Sequence, residues 1–218
     1  MEAAFSLLMA FPIALMGAGR TDAGVHAKKM VAHFDADEIK DPAHLTARLN
    51  AFLSQDIAIQ KIYKVGAEAH ARFHATARTY EYWISRTKNP FTAEAAYYLH
   101  QDLNLKAMNE AAQMLLGYED FECFSKSQSE VHTFLCQISH AVWEQQGDLL
   151  VFTITANRFL RNMVRAIVGT LLEIGMNKKT LSDFEAVILS KSRTNAGPSV
   201  PAQGLYLTEI IYPSSTYV

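Results

Sequence analysis

Gly17-Ala18-Gly19-Arg20-Thr21-Asp22-Ala23-Gly24-Val25-His26 is the stretch on which the fold of this chain turns. The apolar run Ile13-Ala14-Leu15-Met16 precedes it and Met30-Val31-Ala32-His33-Phe34 follows it. The pattern predicts a strand at 13–16, a glycine-rich bend, and a second strand through 25–34. Glycines let the backbone turn tightly and let another group approach it closely. One carboxylate, Asp22, sits inside the bend, next to Thr21 and two residues after Arg20. An acid beside a guanidinium is favoured in its charged form, which suits a nucleophile or base better than a proton donor. The same pattern also fits an ordinary turn in which Asp22 caps its own backbone. It is not a dinucleotide-binding fingerprint, because the G-x-G-x-x-G spacing is absent and no helical pattern follows directly.

Working outward, residues 2–10 read as the tail of an amphipathic helix with Phe5, Leu7, Leu8 and Met9 apolar. Asp41-Pro42 opens another helix, with Leu45, Leu49 and Phe52 on its apolar face. Ile57 to Val65 suggests a third strand. Ala75 to Arg86 alternates with period two and is rich in Thr, Tyr, Trp and Ile, so it is a strand. A helix over 104–116 closes at Gly117, and strands at 133–145 and 148–156 meet at the hairpin signal Gly147-Asp148. Phe159 to Ile174 reads as a helix stopped by Gly175, a shorter helix covers 180–190, and 204–212 is a last apolar strand. The order predicts an α+β fold with helices packed on a largely antiparallel sheet.

The 218 residues suffice for one large or two small cores. Half are hydrophobic and 19% are charged, a globular composition. No apolar run reaches the length of a membrane span, and the start Met1-Glu2-Ala3-Ala4-Phe5 lacks the basic region of a signal peptide. Cys123 and Cys136 have no metal-like spacing and read as core thiols in a reducing cytosol. A net charge of −2 gives no global sign of a nucleic-acid partner, so any RNA must be held by local groups such as Arg20, Lys28, Lys29, Arg78, Arg158, Arg161 and Arg165.

Three further stretches join the first in resembling one family. They are Ala77-Arg78-Thr79-Tyr80-Glu81-Tyr82, then Met163-Val164-Arg165-Ala166-Ile167-Val168-Gly169, and Ala202-Gln203-Gly204-Leu205-Tyr206-Leu207. Read alone, Tyr80 and Tyr82 are an aromatic pair on one strand face, and Arg158, Arg161 and Arg165 form a basic row on one helix face. His70 and His74 lie four apart in a segment that reads as extended, too far apart for one metal ion. Together with Gly19-Arg20-Thr21-Asp22-Ala23-Gly24-Val25-His26, the stretches closely resemble the signature of the tRNA pseudouridine synthases of the TruA family. Family members carry a strand, a Tyr-Asp-Gly and Gly-Trp-Gln segment and most of a helix ahead of the point where this chain begins. Residues 2–10 are then the remnant of that helix.

The resemblance implies two similar α/β subdomains joined into a pseudouridine synthase fold. These are an RNA-binding subdomain over 1–70, shortened at its start, and a catalytic subdomain over 71–218, with the active-site cleft between them. It implies an isomerase that converts uridine to pseudouridine in the anticodon stem-loop of tRNA, around positions 38–40, without metal or cofactor. Asp22 is then the catalytic nucleophile and Arg165 its ion-pair partner. Tyr80 stacks on the base, Leu207 packs near it, and Arg20, Arg78 and Arg161 bind the nucleotide. A cytoplasmic homodimer spanned by tRNA is also implied. The alternative is a non-catalytic RNA-binding protein or an inactive fragment of such an enzyme. An Asp/His metallohydrolase would need clustered carboxylates, and none lie near Asp22 in the sequence.

Overall fold

The computed structural model describes residues 1–126 and 132–217. In chain order its helices and strands are α1 (Glu2–Met9), β1 (Met16–Gly17), β2 (His26–Ala27), β3 (Ala32–His33), α2 (Pro42–Phe52), β4 (Ala77–Ser85), β5 (Tyr97–Tyr98), α3 (Leu105–Met114), β6 (Ile138–Gln146), β7 (Leu149–Ala156), α4 (Met163–Gly175), α5 (Leu181–Leu189) and β8 (Leu205–Ile211). The chain forms two compact units. One comprises Met1–Arg20, Met30–Ala75 and Tyr212–Val218, and the other Thr21–Lys29 and Thr76–Ile211. Set beside the 1–70 and 71–218 expected from sequence, the main crossing falls near 75, and the Asp22 stretch belongs to the second unit.

In the first unit α1 and α2 pack around Ala4, Phe5, Ile13, Leu45 and Leu49. Phe34 meets Phe5 edge-on at 5.1 Å. Asp41 caps α2 as expected, its carboxylate accepting from the His44 amide at 2.9 Å, with Pro42 at the first position. Phe52, expected on the apolar face, is exposed. The strand expected through 25–34 is split. Ala32–His33 pairs antiparallel with Met16–Gly17, while His26–Ala27 pairs with a strand of the second unit. No strand forms over 57–65. The Asn50 side chain donates to the Ile59 carbonyl at 2.8 Å and accepts from its amide at 2.7 Å, occupying the groups a neighbouring strand would need. Residues 70–74, read as extended, instead form a turn in which the His74 amide donates to the His70 carbonyl at 3.0 Å.

The second unit is built on a six-stranded sheet in the order β2-β8-β4-β7-β6, with β5 added alongside the end of β4. β4 is its centre, antiparallel to β7 over Arg78–Ser85 and to β8 over Ala77–Tyr82. The β6–β7 hairpin turns at Gly147, whose φ of +58° is a conformation glycine adopts without strain. The helices of this unit cover one face and enclose Trp143, Tyr82, Phe121, Phe124, Phe152, Phe184, Met163 and Ile167. In α4 every residue but Arg165 and Glu173 is buried. Gly169 lets the chain at Pro198 lie directly on this helix, because a Cβ there would sit 1.8 Å from the Pro198 carbonyl oxygen.

Two sequence expectations fail here for local reasons. The 133–145 strand begins only at Ile138, and the 159–174 helix begins only at Met163. Asn162 takes a left-handed backbone, φ +66°, and stops the helix from extending back. Arg158 and Arg161 therefore precede α4, and the basic row on one helix face does not exist.

Candidate active site

Asp22 sits at the start of a tight backbone turn. The Val25 amide donates to the Asp22 carbonyl at 3.1 Å, and Gly24 occupies the left-handed position with φ +83°. The chain then enters β2, parallel to β8, with His26 beside Tyr206 and Ala27 beside Leu207. The Lys28 amide donates to the Leu207 carbonyl at 2.9 Å. A short loop is thus anchored to the sheet within a few residues of the acid.

Arg165 reaches Asp22 from the first turn of α4. Its Nη1 donates to Asp22 Oδ2 at 3.1 Å. Its Nε donates to the Val200 carbonyl at 2.8 Å, and the Val200 amide returns a bond to the Arg165 carbonyl at 3.2 Å. The guanidinium is therefore fixed by two elements before it meets the acid, a planar fork used in a defined orientation. Arg161 approaches the other oxygen, Nε to Oδ1 at 3.8 Å, but its side chain is 64% exposed against 20% for Arg165. The exposed contact is the weaker of the two, since solvent screens it.

Tyr80 lies on β4 between Leu207 of β8 and Ile154 of β7. A β-bulge falls between Thr79 and Tyr80, so Thr208 has no partner of its own across the ladder. Bulges of this kind redirect a side chain. Phe159 stands edge-on to the Tyr80 ring at 5.1 Å. Burial pushes the Tyr80 hydroxyl above its ordinary range, with Arg78 opposing and Asp22 adding to the rise. Tyr80 is thus within electrostatic reach of Asp22. Tyr82, on the same face, is fully buried and donates its hydroxyl to the Pro201 carbonyl at 2.8 Å. Burial raises it further, so it is a packed and satisfied core group.

The remaining expected residues divide. Leu207 is buried at 3% exposure in the register position of Tyr80. Arg78 donates through Nη1 to the Asn157 carbonyl at 3.0 Å. Arg20 is exposed and lies in the first unit, at the point where the chain crosses to the second. Arg158 donates to the Thr133 carbonyl at 3.3 Å. Sequence reasoning missed Val200 and Phe159. The signal available for the first was the Gly197-Pro198-Ser199-Val200-Pro201 run ahead of the last strand, a rigid loop next to a motif. Among the described residues no group of three or more His, Cys, Asp or Glu is arranged to hold a metal ion.

Asp22 thus has Arg165 hydrogen-bonded at one oxygen and Arg161 near the other, and the half-buried Tyr80 ring lies among Leu207, Ile154 and Phe159. Residues 111–213 match the family model for tRNA pseudouridine synthase. A protein of Parabacteroides distasonis called tRNA pseudouridine synthase A is 52% identical over 217 residues, spanning 99% of this chain and 86% of its own. The chain belongs to the tRNA pseudouridine synthase A family. Relatives of the same name from Bacteroides fragilis and Porphyromonas gingivalis are 49% and 47% identical, spanning 93% and 100% of this chain and 81% and 88% of theirs. Members of this isomerase family convert uridine to pseudouridine in tRNA. The family's mixed α/β fold is the one observed. No helix among the described residues is long and apolar enough to cross a membrane.

Proposed function

We propose that Asp22 starts the isomerisation of uridine to pseudouridine in the anticodon stem-loop of tRNA, around positions 38–40. The observation that carries this reading is the Asp22–Arg165 pair at 3.1 Å, with Arg165 itself pinned by Val200 at 2.8 Å. The reaction breaks the C1′–N1 bond, turns the uracil, forms C1′–C5, releases the C5 proton and leaves N1 protonated. Asp22 begins it at C6 of the base or at the sugar. Arg165 holds the carboxylate aimed. Tyr80 stacks on the base extruded from the RNA, and Leu207 packs beside it. Arg20, Arg78 and Arg161 hold the nucleotide and its phosphates. The chemistry transfers no electrons and needs neither metal nor cofactor. We further propose a cytoplasmic homodimer in which two sets of local basic groups offset the net charge of −2 and hold one tRNA.

The test is incubation with unmodified tRNA, followed by chemical labelling of pseudouridine at single-nucleotide resolution. The wild-type chain forms pseudouridine at 38–40, and Asp22→Asn forms none while binding tRNA with an affinity within about threefold. Binding without turnover by the wild-type chain would establish the alternative, a non-catalytic RNA-binding protein.

A further inference from the structure

β2 is only two residues long, yet it carries the loop bearing Asp22. Side chains alternate along it. Val25 packs against the core of the second unit, on the side of Leu207 and Tyr80. His26 and Lys28 point to the opposite face, the one bearing Tyr206, Glu81 and Trp83. On that face three rings form one stack. His26 lies on Tyr206 at 4.7 Å and 16°, and Tyr206 lies on Trp83 at 4.2 Å and 28°. The Lys28 ammonium sits 4.3 Å from the Trp83 ring centre and 3.0 Å from Glu81 Oε2. The same Glu81 oxygen accepts from Trp83 Nε1 at 2.8 Å. One end of the stack and its central ring are tied to the backbone as well. His26 Nε2 lies 3.1 Å from the Glu94 carbonyl oxygen, and the Tyr206 hydroxyl donates to the Ala95 carbonyl at 2.5 Å.

We infer that the His26–Tyr206–Trp83 stack, closed by the Lys28–Glu81 pair, is a positioning clamp that sets where Asp22 sits. The inference rests on Asp22 being the reacting carboxylate. A two-residue parallel pairing offers few ladder hydrogen bonds, so it cannot by itself fix a loop that leaves the unit on both sides. Stacked rings and a half-exposed ammonium over an indole supply the missing orientation, the rings through their contact area and the cation by a smaller amount. His26, four residues after Asp22, is the side chain through which that orientation reaches the acid. Tyr206 and Trp83 touch no reacting atom. They act on catalysis only through the loop, because tolerance for a displaced catalytic group is small.

The experiment compares Tyr206→Leu, His26→Leu and Lys28→Met with the ring-retaining Tyr206→Phe. Single-turnover pseudouridine formation and tRNA KM are measured on each folded variant, with amide exchange at Val25, Lys28 and Lys29. Tyr206→Leu and His26→Leu should each slow the chemical step about tenfold or more, with KM within about twofold. Exchange should quicken at those three amides and not in β7. Lys28→Met, the mildest change, should give the same pattern at about threefold. Tyr206→Phe should keep at least about half the rate, since the ring alone makes the stack. Unchanged exchange at these amides, a loss confined to KM, or a Tyr206→Phe defect equal to that of Tyr206→Leu would each overturn the clamp. If Asp22→Asn turns over, the Asp22 assignment fails instead, while exchange still reports whether the clamp holds the loop.

Discussion

The two units bury their apolar residues on very different scales. The second encloses a continuous core from Tyr82 on β4 through Phe152 on β7 to nearly all of α4. The first closes on Ala4, Phe5, Ile13, Leu45 and Leu49, with partly exposed neighbours around them. Asp22 belongs to the larger unit even though the chain on either side of residues 21–29 belongs to the smaller one. Precision at Asp22 therefore comes from where residues 21–29 are anchored, not from their neighbours in sequence. A site that must hold its geometry is better placed on the rigid unit.

The largest stability effects should separate the units. Phe152→Ala, at a fully buried position against the Trp143 ring, should cost about 3–5 kcal/mol in urea unfolding. Protection should be lost throughout the second unit, including the Asp22 loop. Leu49→Ala should cost about 2–3 kcal/mol. Its faster amide exchange should be confined to α1 and α2, with β4 and β7 unchanged. If Leu49→Ala loosened β4 as much as Phe152→Ala does, the cores would be one, and the contrast between them would fail.

Smaller effects should divide the units by pH. The His70 Nδ1 accepts from the Arg72 and Phe73 amides at 3.1 and 3.2 Å, which a protonated ring cannot do. Burial, then the neighbouring His33 and His74, holds His70 below its ordinary value. The folded state thus binds fewer protons, and the contribution of His70, full above about pH 6.5, falls as the pH drops below it. In the second unit burial pushes Cys123 up to about 12 and Cys136 up to about 11. The folded state there binds more protons, so stability falls as the pH rises above about 9. Amide exchange across pH should show acid loosening first around residues 70–74 and alkali loosening first beside Cys123 and Cys136. Both thiols should resist alkylation at pH 8 until the second unit unfolds. The smallest effect should come from Arg161→Ala, whose exposed 3.8 Å contact contributes less than about 1 kcal/mol to stability.

The parts legible in sequence were those whose cause is local. The Asp22 turn announces itself through its glycines, β4 through strict alternation, the β6–β7 hairpin through Gly147-Asp148, and α2 through Asp41-Pro42. What escaped depends on distant partners or on a single backbone angle. Asn50 removes the strand at 57–65 by bonding Ile59. Asn162 stops α4 four residues short and takes Arg158 and Arg161 off the helix. The split of the second strand between two units follows from pairing with β8, about 180 residues later. Arg165 was identified by its motif, whereas Val200, which fixes it, bonds to it from 35 residues away without a signature of its own.

In the proposed reaction Asp22 reacts while Arg165 aims it. Single-turnover pseudouridine formation on tRNA by Asp22→Asn, Arg165→Met and the double variant tests this most directly. Asp22→Asn should abolish product, Arg165→Met should slow its formation by about a hundredfold, and the double variant should be no worse than Asp22→Asn alone, since the two groups act as a unit. Product formation by Asp22→Asn, or wild-type rates from Arg165→Met, would contradict it.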